Sequence, residues 1–330
     1  MAKDNYNPTT GMYKRVSARF KSDTPFLFAC RVVHSIILRY ERLRRALLAN
    51  YYRIVNGDRF LLRDVLGSKM YLDLKDKGLA RDILAYGIRE RYSVDVMKEE
   101  LKPGQVVVDI GANIGYYALL EAKIIGERGR VYCLEPAPEN IDLLRRNVAV
   151  NGYTNIEIYH AAAGAESKMG TIYLSESHNQ HALIAENVGG MIGSMPVQVF
   201  ALDDFLKDKP YPSIVRMDVE GFELDILRGM KKILAEKNPL KFYIEIHGFF
   251  LKDGGVKELL SILKGAGFRV KVAVWDPMEI GGNFIRPLYY YCSRKLGIGN
   301  KGLFYPSMDE LEKVFVEHGE ITLAAFFERA

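Results

Sequence analysis

Residues 106–120 read VVVDIGANIGYYALL, a short apolar run that passes through two glycines into a second apolar stretch. The first five residues have the length and composition of a buried strand, and a helix is predicted after Gly115. Glycine allows a strand-to-helix turn to bring its backbone close to a ligand, which is the role we expect for Gly111 and Gly115. The spacing Asp-x-Gly-x-x-x-Gly differs from the Gly-x-Gly-x-x-Gly of dinucleotide folds, which disfavours a nicotinamide dehydrogenase.

An acidic residue ends the next predicted strand. Residues 130–136 read RVYCLEP, and Glu135 lies 20 residues after Gly115. A carboxylate at this place can accept hydrogen bonds from both hydroxyls of a ribose, as the analogous acid does in Rossmann folds. Either feature alone is weak evidence, but together, at this spacing, they predict a site for a nucleoside-type cofactor.

Strand-like apolar runs alternate with amphipathic helical stretches after residue 101. This alternation predicts an α/β fold with a mostly parallel sheet and helices on both faces. Residues 268–274 and 289–294 are expected to close the sheet. The domain prediction has four parts: a basic arm with an amphipathic helix (1–58), a hairpin and helical lead-in (59–100), a cofactor-binding domain (101–296) and a C-terminal helical extension (297–330).

Four blocks of sequence carry a resemblance to a known family. They are DIGANIG at 109–115, LDDFL at 202–206, RMDVEGFELDILRG at 216–229 and IEIHG at 244–248. Their order and spacing over about residues 85–275 resemble the FkbM-type family of class I S-adenosylmethionine (SAM)-dependent methyltransferases. Arg216 stands where lysine is common in that family.

The resemblance implies a Rossmann-like class I methyltransferase fold with a seven-stranded sheet, and SAM as cofactor. It implies methylation of a hydroxyl on a sugar, glycan or small metabolite, without identifying the acceptor. N-methylation, protein methylation and a catalytically silent SAM-fold binding protein are the alternatives. The residues expected at the cofactor are Asp109, Gly111, Asn113, Gly115, Glu135, Pro136, Ala162 and Asp218. Around Ala162 the sequence is HAAAG, so adenine contact is expected through backbone and apolar groups.

Two further strands are predicted to end in ionisable residues at the ligand-binding edge. Strand alternation places Asp218 with Glu220, and Glu245 with His247, on common sides. We expect His247 to be the general base, because histidine titrates near neutral pH, with Asp218 and Glu220 orienting the acceptor or the base.

Other interpretations of these residues remain open. Carboxylates at a helix start, such as Glu220, can simply stabilise the helix dipole. The four groups could also hold Mg²⁺ or Mn²⁺, although we predict no metal site. His178 and His181 lie in the loop 175–194, which is either a cover over the acceptor or a solvated loop.

The positive charge is concentrated near the start of the sequence. The chain has 46 Lys and Arg against 41 Asp and Glu, and residues 1–63 contain 13 of the former and 4 of the latter. Residues 26–54 are predicted to form a helix that packs on the main domain or rests on an anionic membrane surface. No nucleic-acid module accompanies the charge. The scattered cysteines suggest a reducing compartment, so we expect a cytoplasmic protein, with peripheral membrane contact as the alternative.

Overall fold

The computed structural model describes residues 25–76, 78–175, 181–251, 254–275, 302–318 and 321–329, together with Leu288 and Cys292. Its first element is the long helix α1, Pro25–Asn56, one side of which is buried. Within the described part of the chain, no helix has the length and hydropathy needed to cross a membrane.

The lead-in after α1 packs closely against the cofactor-binding domain. It forms an antiparallel hairpin and two helices: β1 Phe60–Val65, β2 Ser68–Asp73, α2 Leu79–Tyr86 and α3 Arg91–Glu100. Asn147 joins the hairpin to the domain, because its Oδ1 accepts from the Tyr71 backbone N–H at 2.6 Å and its Nδ2 donates to the Ile114 carbonyl at 2.8 Å. The hairpin is therefore tied to the turn that the glycine motif forms.

A sheet of ten described strands forms the centre of the molecule, in the order β11-β10-β12-β9-β8-β3-β4-β5-β7-β6. The six strands from β9 to β7 are parallel, and antiparallel strands extend both edges. The bounds are β3 Val106–Ile110, β4 Arg130–Glu135, β5 Ile156–Ala163, β6 Lys168–Ser175, β7 Met191–Phe200, β8 Ile214–Met217, β9 Lys241–His247, β10 Phe268–Trp275, β11 Gly302–Phe304 and β12 Thr322–Arg329. The predicted α/β fold is confirmed, whereas the prediction of seven strands was too low.

Helices cover both faces of this sheet and give it two cores. Alternate residues of β3 point to opposite faces, so Val107 packs with one core while Val108 and Ile110 pack with the other. The helices of the domain are α4 Tyr116–Ile125, α5 Pro138–Asn151, α6 Leu202–Phe205, α7 Glu223–Arg228, α8 Lys231–Ala235, α9 Gly255–Gly265 and α10 Met308–His318. This layering leaves the carboxyl ends of the parallel strands as the place where loops meet.

The prediction of a C-terminal helical extension at residues 297–330 was wrong. Among the residues of this range that the structure describes, α10 is the one helix, and β12 lies inside the sheet, paired with both β9 and β10. The segment TLAAFFER contains leucine, alanine, glutamate and arginine, which favour helices in isolation. Burial on both faces, with Phe326 and Phe327 almost fully inaccessible, outweighs that local preference. The predicted strand at 289–294 lies largely outside the described residues.

Glu121 of α4 is fully buried, and neither of its carboxylate oxygens has a hydrogen-bond partner among the described residues. Burial, followed by the negative charge of Asp109, raises the pKa of Glu121 well above its usual value, although Arg216 opposes the shift. The group is therefore protonated in the folded protein under conditions that ionise it in the unfolded chain.

Replacing Glu121 with glutamine is expected to stabilise the protein increasingly as pH rises above about 4.5. A raised folded-state pKa stabilises the fold fully below the unfolded pKa, and that contribution is lost by about 1.4 kcal/mol per pH unit up to the folded pKa. The amide does not titrate and escapes this loss. Urea unfolding of wild type and Glu121→Gln at acidic and mildly alkaline pH measures the difference, with the exposed Glu127→Gln as control. If the difference in free energy of unfolding between Glu121→Gln and wild type were the same at both pH values, Glu121 would not have a raised pKa in the folded protein.

Candidate active site

The glycine turn between β3 and α4 has a left-handed backbone at three positions. The φ angles are 78° at Gly111, 52° at Asn113 and 95° at Gly115. A Cβ at Gly111 would lie 2.0 Å from the carbonyl oxygen of Asp218, and one at Gly115 would lie 2.6 Å from Leu144 Cδ1. The protein's own packing therefore requires these glycines. Gly111 also borders the main cleft, whereas Gly115 is not among its lining residues.

The carboxylate of Glu135 is held in a fixed position at the end of β4. Its Oε2 accepts from the Asn113 backbone N–H at 2.8 Å, and its Oε1 accepts from the Ala137 N–H at 2.9 Å and from Asn140 Nδ2 at 3.2 Å. Burial raises the pKa of Glu135 to about 7, and these donors only partly offset that effect. Because a carboxylate offers about four acceptor sites, Glu135 keeps acceptor capacity on the side that borders the cleft.

An open cleft lies at the carboxyl ends of the parallel strands. One side carries the glycine turn and the end of β4, and the other carries the ends of β8 and β9. Apolar side chains form much of the remaining wall. The polar side chains lining it are Arg89, Asn113, Glu135, Asn140, His181, Asp218, Glu220 and Glu245. Pro136 and Ala162, both expected at the cofactor, also lie in its wall.

Asp109, the first residue of the motif, is not in the lining of the cleft, contrary to our expectation for a cofactor-binding residue. It is fully buried, and its Oδ1 accepts from Arg216 at 2.8 Å. The same guanidinium donates to Asp218 Oδ2 at 2.9 Å and stacks 4.1 Å from the centre of the Tyr117 ring. Asp109 thus positions Arg216, which in turn positions Asp218 at the cleft.

Burial of Asp218 would raise its pKa, but the positive charges of Arg216, His247 and Arg89 hold the pKa below its usual value. Asp218 is consequently ionised at neutral pH. Its side chain is still partly exposed to the cleft, in contrast to Asp109. Of the three residues in this series of ion pairs, Asp109, Arg216 and Asp218, it is Asp218 that lines the cleft.

His247 lies behind the carboxylates and is not itself part of the cleft wall. Its Nδ1 donates to Glu223 Oε1 at 2.6 Å, and its Nε2 lies 3.6 Å from Glu220 Oε2 and 4.0 Å from Asp218 Oδ1. Burial alone would lower the pKa of His247, but the charge of Glu220 and the bond to Glu223 raise it well above its usual value. The His247 side chain is therefore a cation at neutral pH, with both ring nitrogens protonated. A protonated imidazole cannot take up another proton, which argues against His247 as the general base.

Glu220 combines a position in the cleft wall with a titration near neutral pH. Burial raises the pKa of Glu220 to about 7, against the charge of His247. Its backbone is left-handed, with φ 51°, and Asn187 Nδ2 donates to its carbonyl at 2.9 Å. The next residue, Gly221, has φ 97° and a Cβ there would lie 2.4 Å from Phe250 Cβ. A strained, tightly supported backbone of this kind is typical of functional positions.

Arg89 was missed by the sequence analysis. It belongs to the lead-in, yet its side chain borders the same cleft as Glu245 and donates to Glu90 at 2.5 Å. The Tyr116 hydroxyl fixes the Arg89 backbone, since it donates to the carbonyl at 2.7 Å and accepts from the N–H at 2.9 Å. A smaller cavity that shares Arg89, Gly111, Asn113 and Asp218 with the cleft extends to Glu90 and Tyr117. Only the folded chain brings the lead-in to this edge.

Three of the four residues considered for a metal come together. Asp218, Glu220 and His247 each offer a ligand atom, and these atoms lie within 4.8 Å of one another. However, Asp218 is paired with Arg216, and a protonated His247 has no free lone pair for a cation. The ion pairs explain the cluster without a metal.

The loop after β6 contributes to the cleft through His181, whose Nδ1 accepts from the Ser175 N–H at 3.0 Å. His178 lies outside the described residues. On the side expected to hold adenine, Ala162 and Ala163 provide apolar wall, and His160 Nε2 lies 2.9 Å from the Pro136 carbonyl oxygen. No described polar side chain from the HAAAG segment lines the cleft, and the apolar contact with adenine stays a prediction.

Comparisons with a family model and with known proteins point to the same family. Residues 109–270 match the methyltransferase FkbM domain. The hexuronic acid methyltransferase AglP of Haloferax volcanii is 31% identical over an alignment of 182 residues that covers 53% of this chain and 69% of AglP. The 31-O-demethyl-FK506 methyltransferase FkbM of Streptomyces tacrolimicus is 27% identical over 217 residues, covering 55% of this chain and 79% of that protein. The chain belongs to the FkbM methyltransferase family, as the sequence blocks indicated.

A more distant similarity exists to a crystal structure of a SAM-dependent O-methyltransferase from Thermotoga maritima. The superposition has a TM-score of 0.39 and 14% identity, and covers 73% of this chain and 65% of that one. So distant a match says nothing about the residues or ligands of the cleft.

Proposed function

We propose that this methyltransferase uses SAM to methylate a hydroxyl oxygen of a sugar or similar small acceptor, with Glu220 as the general base. The observation that carries the proposal is that Glu220, with a pKa of about 7, shares one cleft with the glycine turn and Glu135. The names of two relatives support the acceptor class, because AglP is a hexuronic acid methyltransferase and the FkbM relative acts on a 31-O-demethyl compound.

The residues of the cleft fit SAM. Glu135 has acceptor capacity for the ribose hydroxyls, and Ala162 supplies an apolar surface for the adenine. Asp218 contributes a negative charge that suits a sulfonium cation. The adjoining cavity, with Arg89 and Glu90 in its wall, offers both signs of charge to an amino-acid end.

Bound SAM would supply an electrophilic methyl group for in-line transfer to the acceptor oxygen. A sugar hydroxyl is a weak nucleophile unless its proton is removed as the new bond forms, and a positioned base contributes about 10²–10⁴-fold to the rate. Glu220 accepts this proton in our proposal. His247 acts as a positioning residue that stabilises the Glu220 carboxylate, while Asp218 and Glu245 accept hydrogen bonds from acceptor hydroxyls.

The cofactor site is tested by titrating wild type and Glu135→Gln with S-adenosylhomocysteine in a calorimeter. We expect the substitution to weaken binding by about 10–100-fold, since hydrogen bonds to a charged acceptor contribute about 1.5–3 kcal/mol. Glu139→Gln is the matched control, because Glu139 is exposed on α5 only four residues away.

A well-folded wild type that binds no S-adenosylhomocysteine would refute the enzyme proposal and favour the silent binding protein. With binding established, methyl-labelled SAM and a panel of sugars and uronic acids test the acceptor class. Mass spectrometry of the product distinguishes O-methylation from methylation of nitrogen. Label found only on nitrogen or on added protein would contradict the hydroxyl acceptor.

A further inference from the structure

Helix α1 carries a row of exposed apolar side chains along its outer side. The row recurs every third or fourth residue, and its members are 40–59% exposed. They are Val32, Ile36, Tyr40, Leu43, Leu47 and Tyr51. At about 1.5 Å per residue, this row is about 29 Å long. An apolar strip of that length is far more than the scattered single side chains of an ordinary surface.

The opposite side of α1 is already used by the fold. Cys30, Ile37 and Ala49 are buried there, and the buried Glu41 accepts hydrogen bonds from Arg44 at 2.9 Å and from the Tyr86 hydroxyl at 2.7 Å. Arg45 is paired with Asp82 of α2. The helix is thus fixed by its inner side, and the apolar row cannot turn inward without breaking these contacts.

The charges of α1 indicate what covers the row. The helix has six arginines and one acidic residue, Glu41, which is buried. Arg39, Arg42 and Arg53 are exposed alongside the apolar row. Docking of two α1 helices would bring arginines together with no exposed acid to oppose them, which disfavours a second copy of this chain. A negatively charged surface complements both the arginines and the apolar row.

We propose that α1 docks this methyltransferase on an anionic lipid bilayer, with its outer row inserted at the level of the headgroups. The helix lies parallel to the surface and does not cross it, in line with its hydropathy. Tyr40 and Tyr51 suit this boundary, because a tyrosine ring is apolar while its hydroxyl remains in contact with water. Arg39, Arg42 and Arg53 extend to the lipid phosphates from one flank.

The test is co-sedimentation of the full chain with vesicles of phosphatidylcholine alone or of equimolar phosphatidylcholine and phosphatidylglycerol. We expect binding to the anionic vesicles that weakens as salt rises. The triple variant Ile36→Ser, Leu43→Ser, Leu47→Ser is expected to bind tenfold or more weakly, since each side chain loses apolar burial. Replacement of Arg39, Arg42 and Arg53 by glutamine is expected to abolish the preference for anionic vesicles.

The matched control is Met169→Ser, Ile192→Ser, Val316→Ser, which removes three apolar side chains of other elements that are slightly more exposed than those of the α1 variant. It is expected to bind vesicles as wild type does. Circular dichroism melting confirms that each variant is folded. Failure of the wild type to bind anionic vesicles, or unchanged binding by the α1 triple variant, would overturn the proposal. A wild-type dimer that the same variant converts to a monomer would overturn it in favour of self-association.

Discussion

Replacing Glu220 with glutamine is expected to slow methyl transfer by about 10²–10⁴-fold while leaving the affinity for S-adenosylhomocysteine nearly unchanged. Glutamine keeps the size and polarity of the side chain but cannot accept the acceptor's proton. The wild-type rate is expected to rise with pH through about 7, because Glu220 must lose its own proton before it acts as a base. The glutamine variant lacks this dependence, and pH–rate profiles of both proteins measure the effect.

Glu127→Gln serves as control for the Glu220 variant. Glu127 is exposed and lies just before the amino end of β4, whereas the cleft lies at the carboxyl ends of the strands. The profiles are measured at saturating SAM, because Glu135 in the cofactor site also has a pKa of about 7 and would otherwise contribute through SAM binding. Full activity of Glu220→Gln, or a profile that still rises through neutral pH at saturating SAM, would exclude Glu220 as the base. His247→Gln adds a second readout: the pKa seen in the profile should move upward, since removing an adjacent cation makes ionisation of Glu220 harder.

Replacing Arg216 with methionine is expected to destabilise the protein by about 3–5 kcal/mol, because it leaves Asp109 buried without its partner. Asp109 is fully inaccessible, and the pKa that burial already raises would rise further without the opposing charge of Arg216. Urea unfolding measures the loss. The effect on stability should be largest near neutral pH, where an unpaired carboxylate must either stay charged or take up a proton.

Arg216→Lys is the matched control for the methionine variant. Lysine keeps the charge and is common at this position in the family, although it cannot bridge Asp109 and Asp218 as the planar guanidinium does. We expect it to fold with a much smaller loss. If methionine and lysine were equally destabilising, the stacking on Tyr117 and the geometry of the guanidinium would matter more than its charge.

The central part of the fold could be predicted because local and global signals agree there. The apolar run before Gly111 predicted β3, and Glu135 marked the end of β4. The alternation of apolar runs with helical stretches predicted the α/β layering. The same reasoning failed for β12, whose composition favours a helix and whose strand conformation depends on pairing with β9 and β10. Tertiary contacts of that kind leave no local signal.

The candidate site shows a similar division. Asp218, Glu220 and His247 do lie close together, but strand alternation is not the reason, because β8 ends at Met217 and the backbone of Glu220 is left-handed. The sequence also did not reveal which of these residues border the cleft and which support it. His247 was expected as the base from its usual pKa, and only the surrounding carboxylates show that it holds its proton. Arg89 was invisible to sequence reasoning, because nothing local indicates that the lead-in folds back over the strand ends.

The position of β12 has a consequence for how the molecule is assembled during translation. β9 carries Glu245 and His247, and β12 covers one of its edges although β10, α10 and β11 are synthesised before it. Until β12 emerges from the ribosome, that edge presents unpaired backbone groups to any other extended chain. The acid-rich side of the cleft therefore becomes complete late, and a nascent chain interrupted before β12 would be prone to aggregation.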